Sequence, residues 1–367
     1  MAGPVIIPTI GTVLDGTYRI DRLLAGGGCG DVYVATHVRL GSEVAVKVLL
    51  PSLAGNAQAL ARLQREADVM SALRHPHIIQ ILDFNVTAEG VPFLVMELLE
   101  GWPLTGRAAS GPPFEPRAAA HIVGQIAHAL AVAHAHGIVH LDLKPDNVML
   151  VRTDGRGDFV KVIDFGISQA IWRDRLASDP LIAGTPEYMA PEQAGGMTEE
   201  IDHRTDQFSL ACLSYRLLTG HQPFNGADPF AVLHEVINGT QPPPSQHVPW
   251  LGAGVDAVIA RAMSKRPAAR YPDVMAFADA LRAAVELIAS DRRVASVQRN
   301  APPSFPKTKE RTAGRTSRLV LFALSAAAVL IWFLPATRTT AHAAWQRATA
   351  QARRALLATG TGRAQEP

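Results

Sequence analysis

Residues His140-Leu141-Asp142-Leu143-Lys144-Pro145-Asp146-Asn147, followed by Asp164-Phe165-Gly166, constrain this chain more than any other stretch. They set two carboxylates, an ammonium and an amide within about 25 residues of one another. Asp142 can accept a hydrogen bond from an attacking hydroxyl. Asn147 and Asp164 offer hard oxygen ligands of the kind Mg²⁺ takes while it bridges substrate phosphates. Lys144 can neutralise a transferred phosphoryl group. These residue types at these spacings suit phosphoryl transfer, provided the fold brings a nucleotide to them.

Upstream, Leu23-Leu24-Ala25-Gly26-Gly27-Gly28-Cys29-Gly30-Asp31-Val32-Tyr33-Val34-Ala35 reads as strand, tight turn, strand, with apolar alternation resuming after the glycines. A glycine-rich turn lets backbone N–H groups approach phosphates with no Cβ in the way. Val44-Ala45-Val46-Lys47 reads as the next strand, and Arg65-Glu66 falls in a helical segment over 57–73. Each piece alone has a plain reading: a flexible turn, a solvated strand lysine, an exposed helix charge. Their order and spacing carry more weight than any one of them.

Together these stretches resemble the catalytic core of eukaryotic-type (Hanks-type) protein kinases, over about residues 18–287. The resemblance implies an α+β fold of two lobes, a small β-rich one and a larger helical one. It implies ATP with Mg²⁺ or Mn²⁺ as cofactors and protein substrates bearing Ser or Thr. It also allows two kinase domains to pair as a homodimer. The glycine loop looks like G-x-G-x-x-G-x-V, with Ala25 at the first glycine, then Gly27, Gly30 and Val32. By resemblance Leu24, Ala25, Gly26, Gly27, Gly28, Cys29, Gly30, Val32 and Ala45 surround the nucleotide. Lys47 would hold its α- and β-phosphates and Glu66 would pair with Lys47. In Phe93-Leu94-Val95-Met96-Glu97-Leu98-Leu99, Met96 would guard the pocket and Glu97 to Leu99 would offer backbone groups to adenine.

Further roles follow from the same resemblance. Asp142, Lys144, Asn147 and Thr185 would be catalytic, and Asn147 with Asp164 would hold metal. Residues 184–192 look like the substrate-binding end of the activation segment. Asp206 looks like the aspartate that holds the catalytic-loop backbone from a central buried helix. Arg270 looks like the partner of Glu192, and Met70, Ile81, His140 and Phe165 like an apolar stack linking the lobes. Lys144 and the Gly184-Thr185-Pro186 run resemble serine/threonine kinases, and the Leu- and Ala-rich texture resembles their bacterial members. The chain departs from the pattern at Leu141, where the family usually has Arg, and at Ala25. An uncharged Leu141 implies activity that does not require phosphorylation of the activation loop. Two alternatives remain open: a pseudokinase serving as a nucleotide-binding or docking scaffold, and a kinase of small molecules.

Composition bounds the rest. A hydrophobic fraction of 48% supports a sizeable core, and a net charge of +2 gives no general affinity for nucleic acid. Two cysteines, Cys29 and Cys212, make no disulfide framework and suit a reducing compartment. Over 118–136, Ile122, Ile126 and Leu130 recur every fourth residue and mark one apolar helix face. His121, His128, His134 and His136 on that helix read as solvated or locally bonded, since no Cys or carboxylate stands at ligand spacing.

The chain divides as an N-terminal segment, 1–17, a kinase-like domain, 18–288, and a changed composition beyond. No basic start with a sustained apolar run marks a signal peptide in the first 18 residues. Residues 289–318 carry eight Lys or Arg against Asp291 and Glu310, with Pro302, Pro303 and Pro306, and read as a mostly disordered basic linker. Residues 319–337 then lack charge over 19 positions, about 28 Å as a helix, close to a hydrocarbon core. They read as a transmembrane helix at the cell membrane, with the kinase-like domain cytoplasmic and a short tail, 338–367, beyond it.

Overall fold

The computed structural model describes residues 9–27, 30–49, 57–110, 113–151, 158–165 and 185–300. All of them lie in one compact unit, Met1–Asn300. The tip of the glycine loop (Gly28, Cys29), Gly166, residues 167–184 and everything beyond Asn300, including 319–337, lie outside the described residues.

The small lobe is a six-stranded antiparallel sheet: β1 (Val13–Leu14), β2 (Tyr18–Gly27), β3 (Gly30–His37), β4 (Glu43–Leu49), β5 (Ile81–Val86) and β6 (Pro92–Glu97), in the order β1-β2-β3-β4-β6-β5. Helix α1 (Ala57–Ala72) is inserted between β4 and β5. Successive strand residues face opposite sides of a sheet. Val44, Val46 and Val48 of β4 join Phe93 and Val95 of β6 in an outer core with Leu14, Tyr18, Ile20 and Tyr33. Ala45 and Leu49 face the other way and join Leu94, Met96 and the α1 residues Leu63, Ala67 and Met70. Lys47 lies between Ala45 and Leu49, so the two-residue period turns it inward too, where it is 5% exposed.

The hairpin β2–β3 closes at the pair Gly27–Gly30. Gly30 has φ +132, and a Cβ there would collide with the Val48 carbonyl oxygen. Only glycine satisfies both the backbone sign and the close approach to β4.

The large lobe opens with β7 (Gly101–Pro103), which pairs with β8 (Val148–Val151), itself paired with β9 (Phe159–Val162). Helices α2 (Leu104–Ser110) and α3 (Pro116–Ala135) lie between β7 and β8. Glu115 caps α3, accepting from the N–H groups of Arg117 and Ala118, with Pro116 at the first helical position. Ile122, Ile126 and Leu130 are wholly buried, as their spacing predicts. Among the described residues α3 is the one helix long and apolar enough to cross a membrane, but it packs inside the large lobe as a core helix.

Beyond β9 come α4 (Pro191–Ala194), α5 (His203–Thr219), α6 (Pro229–Asn238), α7 (Pro244–His247), α8 (Gly252–Ala262) and α9 (Val274–Asn300). Helix α5 is buried almost throughout; Asp202 caps its start, and Gly220 ends it at φ 77. Glu192 and Arg270 form a bidentate pair, 2.7 Å at each bond, with both side chains at most 1% exposed. Thr205 Oγ1 also donates to Glu192, and Arg270 also donates to the carbonyls of Ser264 and Arg204, so the buried charges are fully engaged.

One expectation from sequence is corrected here. Residues 289–318 read from sequence as a mostly disordered basic linker, yet α9 takes in the first part of that range and continues to Asn300. No glycine or proline occurs between Val274 and Asn300, and the first helix-breaking residue is Pro302.

Candidate active site

The loop between α3 and β8 carries the catalytic candidates. Asp142 is gripped on two sides. Lys144 Nζ lies 3.1 Å and 2.9 Å from its two carboxylate oxygens, and Asn147 Nδ2 donates to its Oδ2 at 3.1 Å and its carbonyl at 2.8 Å. Pro145–Asn147 forms a 3-10 turn that brings Asn147 back toward Asp142. With its nitrogen committed to Asp142, the Asn147 side chain has its amide oxygen for a cation.

The backbone before Asp142 is held from the central helix. Asp206 of α5, without solvent exposure, accepts from the His140 N–H at 2.8 Å and the Leu141 N–H at 2.9 Å. This is the role expected of Asp206. Leu141 has φ 63, a left-handed conformation that costs a residue with a Cβ about 1–2 kcal/mol. The hydrogen bond that its N–H donates to Asp206 is one of the constraints that keep it there. Burial would raise the Asp206 carboxyl, but the His134 side chain and the His140 N–H hold it below the usual carboxylate range.

His134 corrects the sequence reading. Its Nε2 lies 2.7 Å from Asp206 Oδ2, so it is a half-buried partner of the aspartate that holds the backbone before Asp142. The signal was present: His134 continues the four-residue stripe of Ile122, Ile126 and Leu130 onto the buried face. His136 is bonded locally to the Val132 carbonyl, as expected, and His121 and His128 are exposed.

On the other wall, Lys47 Nζ lies 2.8 Å from Asp164 Oδ1. Burial alone would raise the Asp164 carboxyl; the charge and hydrogen bond of Lys47, helped by His140 and Lys144, hold it below its ordinary value. Asp164 also has φ 64. Two strained residues thus flank the candidate chemistry, where such conformations concentrate. Glu66 stands on the face of α1 that carries Leu63, Ala67 and Met70, with one carboxylate oxygen shielded from solvent.

The strand periodicity puts Val32, Ala45 and Met96 beside this site, since Val32 pairs with Lys47 and Ala45 with Met96. The Glu97 N–H donates to the Gln80 carbonyl at 3.1 Å, so that group is not open to a base. The Glu97 side chain accepts from Gln80 N–H and pairs with Lys161. Met70, Ile81, His140 and Phe165 are all buried, and the His140 and Phe165 rings are 4.7 Å apart, in keeping with an apolar stack between lobes.

Thr185 opens the turn Pro186–Tyr188, its carbonyl accepting from Tyr188 N–H. No hydrogen bond among the described residues joins its hydroxyl to Asp142. The segment is fastened to α5, where Ser209 Oγ donates to the Tyr188 carbonyl at 2.7 Å. Gln193 was missed from sequence: its Nε2 donates to the Leu141 carbonyl at 2.9 Å. Nothing local distinguishes that glutamine from a surface one.

Among the described residues no group of three or more His, Cys, Asp or Glu side chains could hold a metal unaided. An ion shared by Asn147 and Asp164 would need phosphate oxygens as well, which suits Mg²⁺. Cys212 is free and buried in α5, and burial pushes its thiol up, so it is unreactive.

Comparison with known proteins agrees with this geometry. The Protein kinase domain family profile matches residues 18–271. The chain is 42% identical to the serine/threonine-protein kinase Pkn1 of Myxococcus xanthus over 281 residues, 76% of this chain and 39% of that protein. It is 36% identical to the serine/threonine-protein kinase PknB of Mycobacterium leprae over 298 residues, 80% of this chain and 45% of that one. The chain therefore spans less than half the length of these relatives. Among solved structures, the PknI kinase domain of Mycobacterium tuberculosis superposes with a TM-score of 0.60 at 29% identity, covering 76% of this chain and 100% of that domain.

Proposed function

This chain belongs to the protein kinase domain family, and from that premise we propose that it transfers the γ-phosphoryl group of ATP to serine or threonine hydroxyls of protein substrates. The observation that carries the proposal is the Asp142 carboxylate bound by both Lys144 and Asn147, together with Lys47 of the small lobe reaching Asp164. In this reading Asp142 orients the acceptor hydroxyl and takes its proton. Lys144 stabilises charge developing on the moving phosphoryl group. Lys47, supported by Glu66, positions the α- and β-phosphates. Asn147 and Asp164 would hold Mg²⁺ or Mn²⁺, which when bound shields the β- and γ-phosphate charge. Residues 24–30 would cover the nucleotide, and Thr185 with the segment after it would receive the substrate.

Leu141 gives the reading a further part. A buried arginine at this position would need an anion to neutralise it; leucine, 5% exposed, needs none. The proposed enzyme is therefore active without phosphate on its activation segment. For location, we read 319–337 as a membrane-spanning helix. Eight basic residues precede it in 289–318 and five (Arg338, Arg347, Arg353, Arg354, Arg363) follow, which favours the kinase domain on the cytoplasmic side.

A pseudokinase would bind nucleotide and transfer nothing, and Leu141 and Ala25 are the two departures that suggest it. Titrating ATP with and without Mg²⁺ while following the melting temperature separates the possibilities when paired with a transfer assay. Mg²⁺-dependent stabilisation with transfer to Ser or Thr supports the kinase; stabilisation without transfer supports the scaffold.

A further inference from the structure

The peptide unit between Leu141 and Asp142 is held from both sides by side chains. Its carbonyl accepts from Gln193 Nε2 at 2.9 Å, and its N–H, on Asp142, donates to His140 Nδ1 at 3.3 Å. The N–H of Leu141 itself goes to Asp206 at 2.9 Å. Leu141 sits at φ 63, so the plane that follows it is set against the residue's own preference. That plane fixes where the Asp142 side chain starts. Gln193 is 2% exposed and belongs to α4, at the end of the segment that begins at Thr185. Its Oε1 accepts from the Ala190 N–H at 3.1 Å. One amide thus binds the segment with its oxygen and the catalytic loop with its nitrogen.

Leu141 offers no charge by which the segment could hold the loop. We propose that Gln193 is a positioning residue: its neutral, permanent hydrogen bond aims Asp142 and couples the substrate-binding segment to the catalytic loop. This inference rests on the phosphotransfer reading of Asp142. A merely structural Gln193 would cap α4 and satisfy a buried carbonyl, and its loss would lower stability without changing turnover per folded molecule.

The test uses the full chain as wild type, Gln193→Met, Gln193→Glu and Asp142→Asn, with turnover expressed per nucleotide-binding site. Methionine keeps the length and volume of glutamine and donates nothing. Gln193→Met removes both hydrogen bonds of the amide; losing the one to the Leu141 carbonyl is expected to lower kcat about tenfold, with KM for ATP changed by less than about twofold. A glutamic acid can donate to the Leu141 carbonyl only when protonated, and burial raises its pKa. The activity of Gln193→Glu relative to wild type is therefore expected to rise at least about threefold between roughly pH 8 and pH 6. A kcat for Gln193→Met within about twofold of wild type overturns the proposal; if that variant does not fold, a flat ratio for Gln193→Glu overturns it. Wild type no more active than Asp142→Asn would instead overturn the phosphotransfer reading, and this inference with it.

Discussion

Lys47 Nζ and Asp164 Oδ1 are 2.8 Å apart, joining the inward face of β4 in the small lobe to the turn after β9 in the large one. The lysine side chain is 6% exposed and the aspartate side chain 22%, so the pair is largely shielded from water and its attraction is stronger than that of a surface pair. The two residues the phosphotransfer reading needs for nucleotide and metal are already held in register.

Removing either charge should therefore stop catalysis. Lys47→Met and Asp164→Asn are each expected to lower phosphoryl transfer on the order of 10²–10³-fold, about 3–4 kcal/mol, through lost electrostatic positioning. Circular dichroism should remain native-like. Turnover near wild type in either variant would refute the roles given to these residues.

Leu141 predicts indifference to phosphatase. Ser168 and Ser178 are the hydroxyl residues within 167–183. Purified enzyme treated with phosphatase, and the Ser178→Ala variant, should keep activity within about twofold of untreated wild type, because no buried cation awaits a phosphate. A drop of about tenfold or more in either case would mean that the segment is a phosphoswitch.

The lobe junction should weaken in mild acid. Val162 N–H donates to the His77 carbonyl at 2.9 Å, Ile79 N–H to the Val162 carbonyl at 3.0 Å, and the His77 ring bonds the Val160 carbonyl at 2.8 Å. Burial is the main cause that lowers the pKa of His75 and His77; the neighbouring His128 and Lys161 side chains lower both, His77 also lowers His75 and His121 also lowers His77, while the bond to the Val160 carbonyl partly offsets this at His77. The folded state thus binds fewer protons than the unfolded chain. Stability from these residues is complete above the ordinary histidine pKa of about 6.5 and is lost as pH falls through it. Urea unfolding of wild type should show a falling midpoint from about pH 7.5 to 5.5, and His77→Gln should flatten that slope. Parallel slopes for the two proteins would contradict the assignment.

The Glu192–Arg270 pair should be costly to break from one side. Arg270→Leu leaves a buried carboxylate without its partner and is expected to cost about 3–5 kcal/mol in chemical denaturation. A loss below about 1 kcal/mol would place the pair with surface ion pairs instead.

Much of this was legible in the sequence because it is periodic or local. The four-residue stripe of Ile122, Ile126 and Leu130 marked α3, whereas Lys47 by itself read as a solvated strand residue and only its place in the order of motifs pointed inward. Asp142, Lys144 and Asn147 lie so close in the chain that one turn assembles them. What was missed depends on contacts between distant segments. His134 meets Asp206 across 72 residues, and Gln193 meets Leu141 across 52. The use of the Glu97 N–H by Gln80 is set by strand pairing with the turn before β5. The helix runs on to Asn300 because no glycine or proline interrupts it, although Arg292, Arg293 and Arg299 give that stretch the charge of a linker.

The membrane proposal has its own test. Cells expressing the full chain and a version ending at Arg318 are fractionated. The full chain should stay with membranes through high salt and alkaline carbonate, and the shorter one should be soluble. Release of the full chain, or equal solubility of both, would contradict a spanning helix at 319–337.

The most direct measurement is transfer of labelled phosphate from γ-labelled ATP to a generic protein substrate by the full chain, with Asp142→Asn alongside and acid hydrolysis to identify the labelled amino acid. The account predicts Mg²⁺- or Mn²⁺-dependent label on serine or threonine, reduced by at least about 10²-fold in Asp142→Asn. Nucleotide binding with no label above the Asp142→Asn level would contradict it.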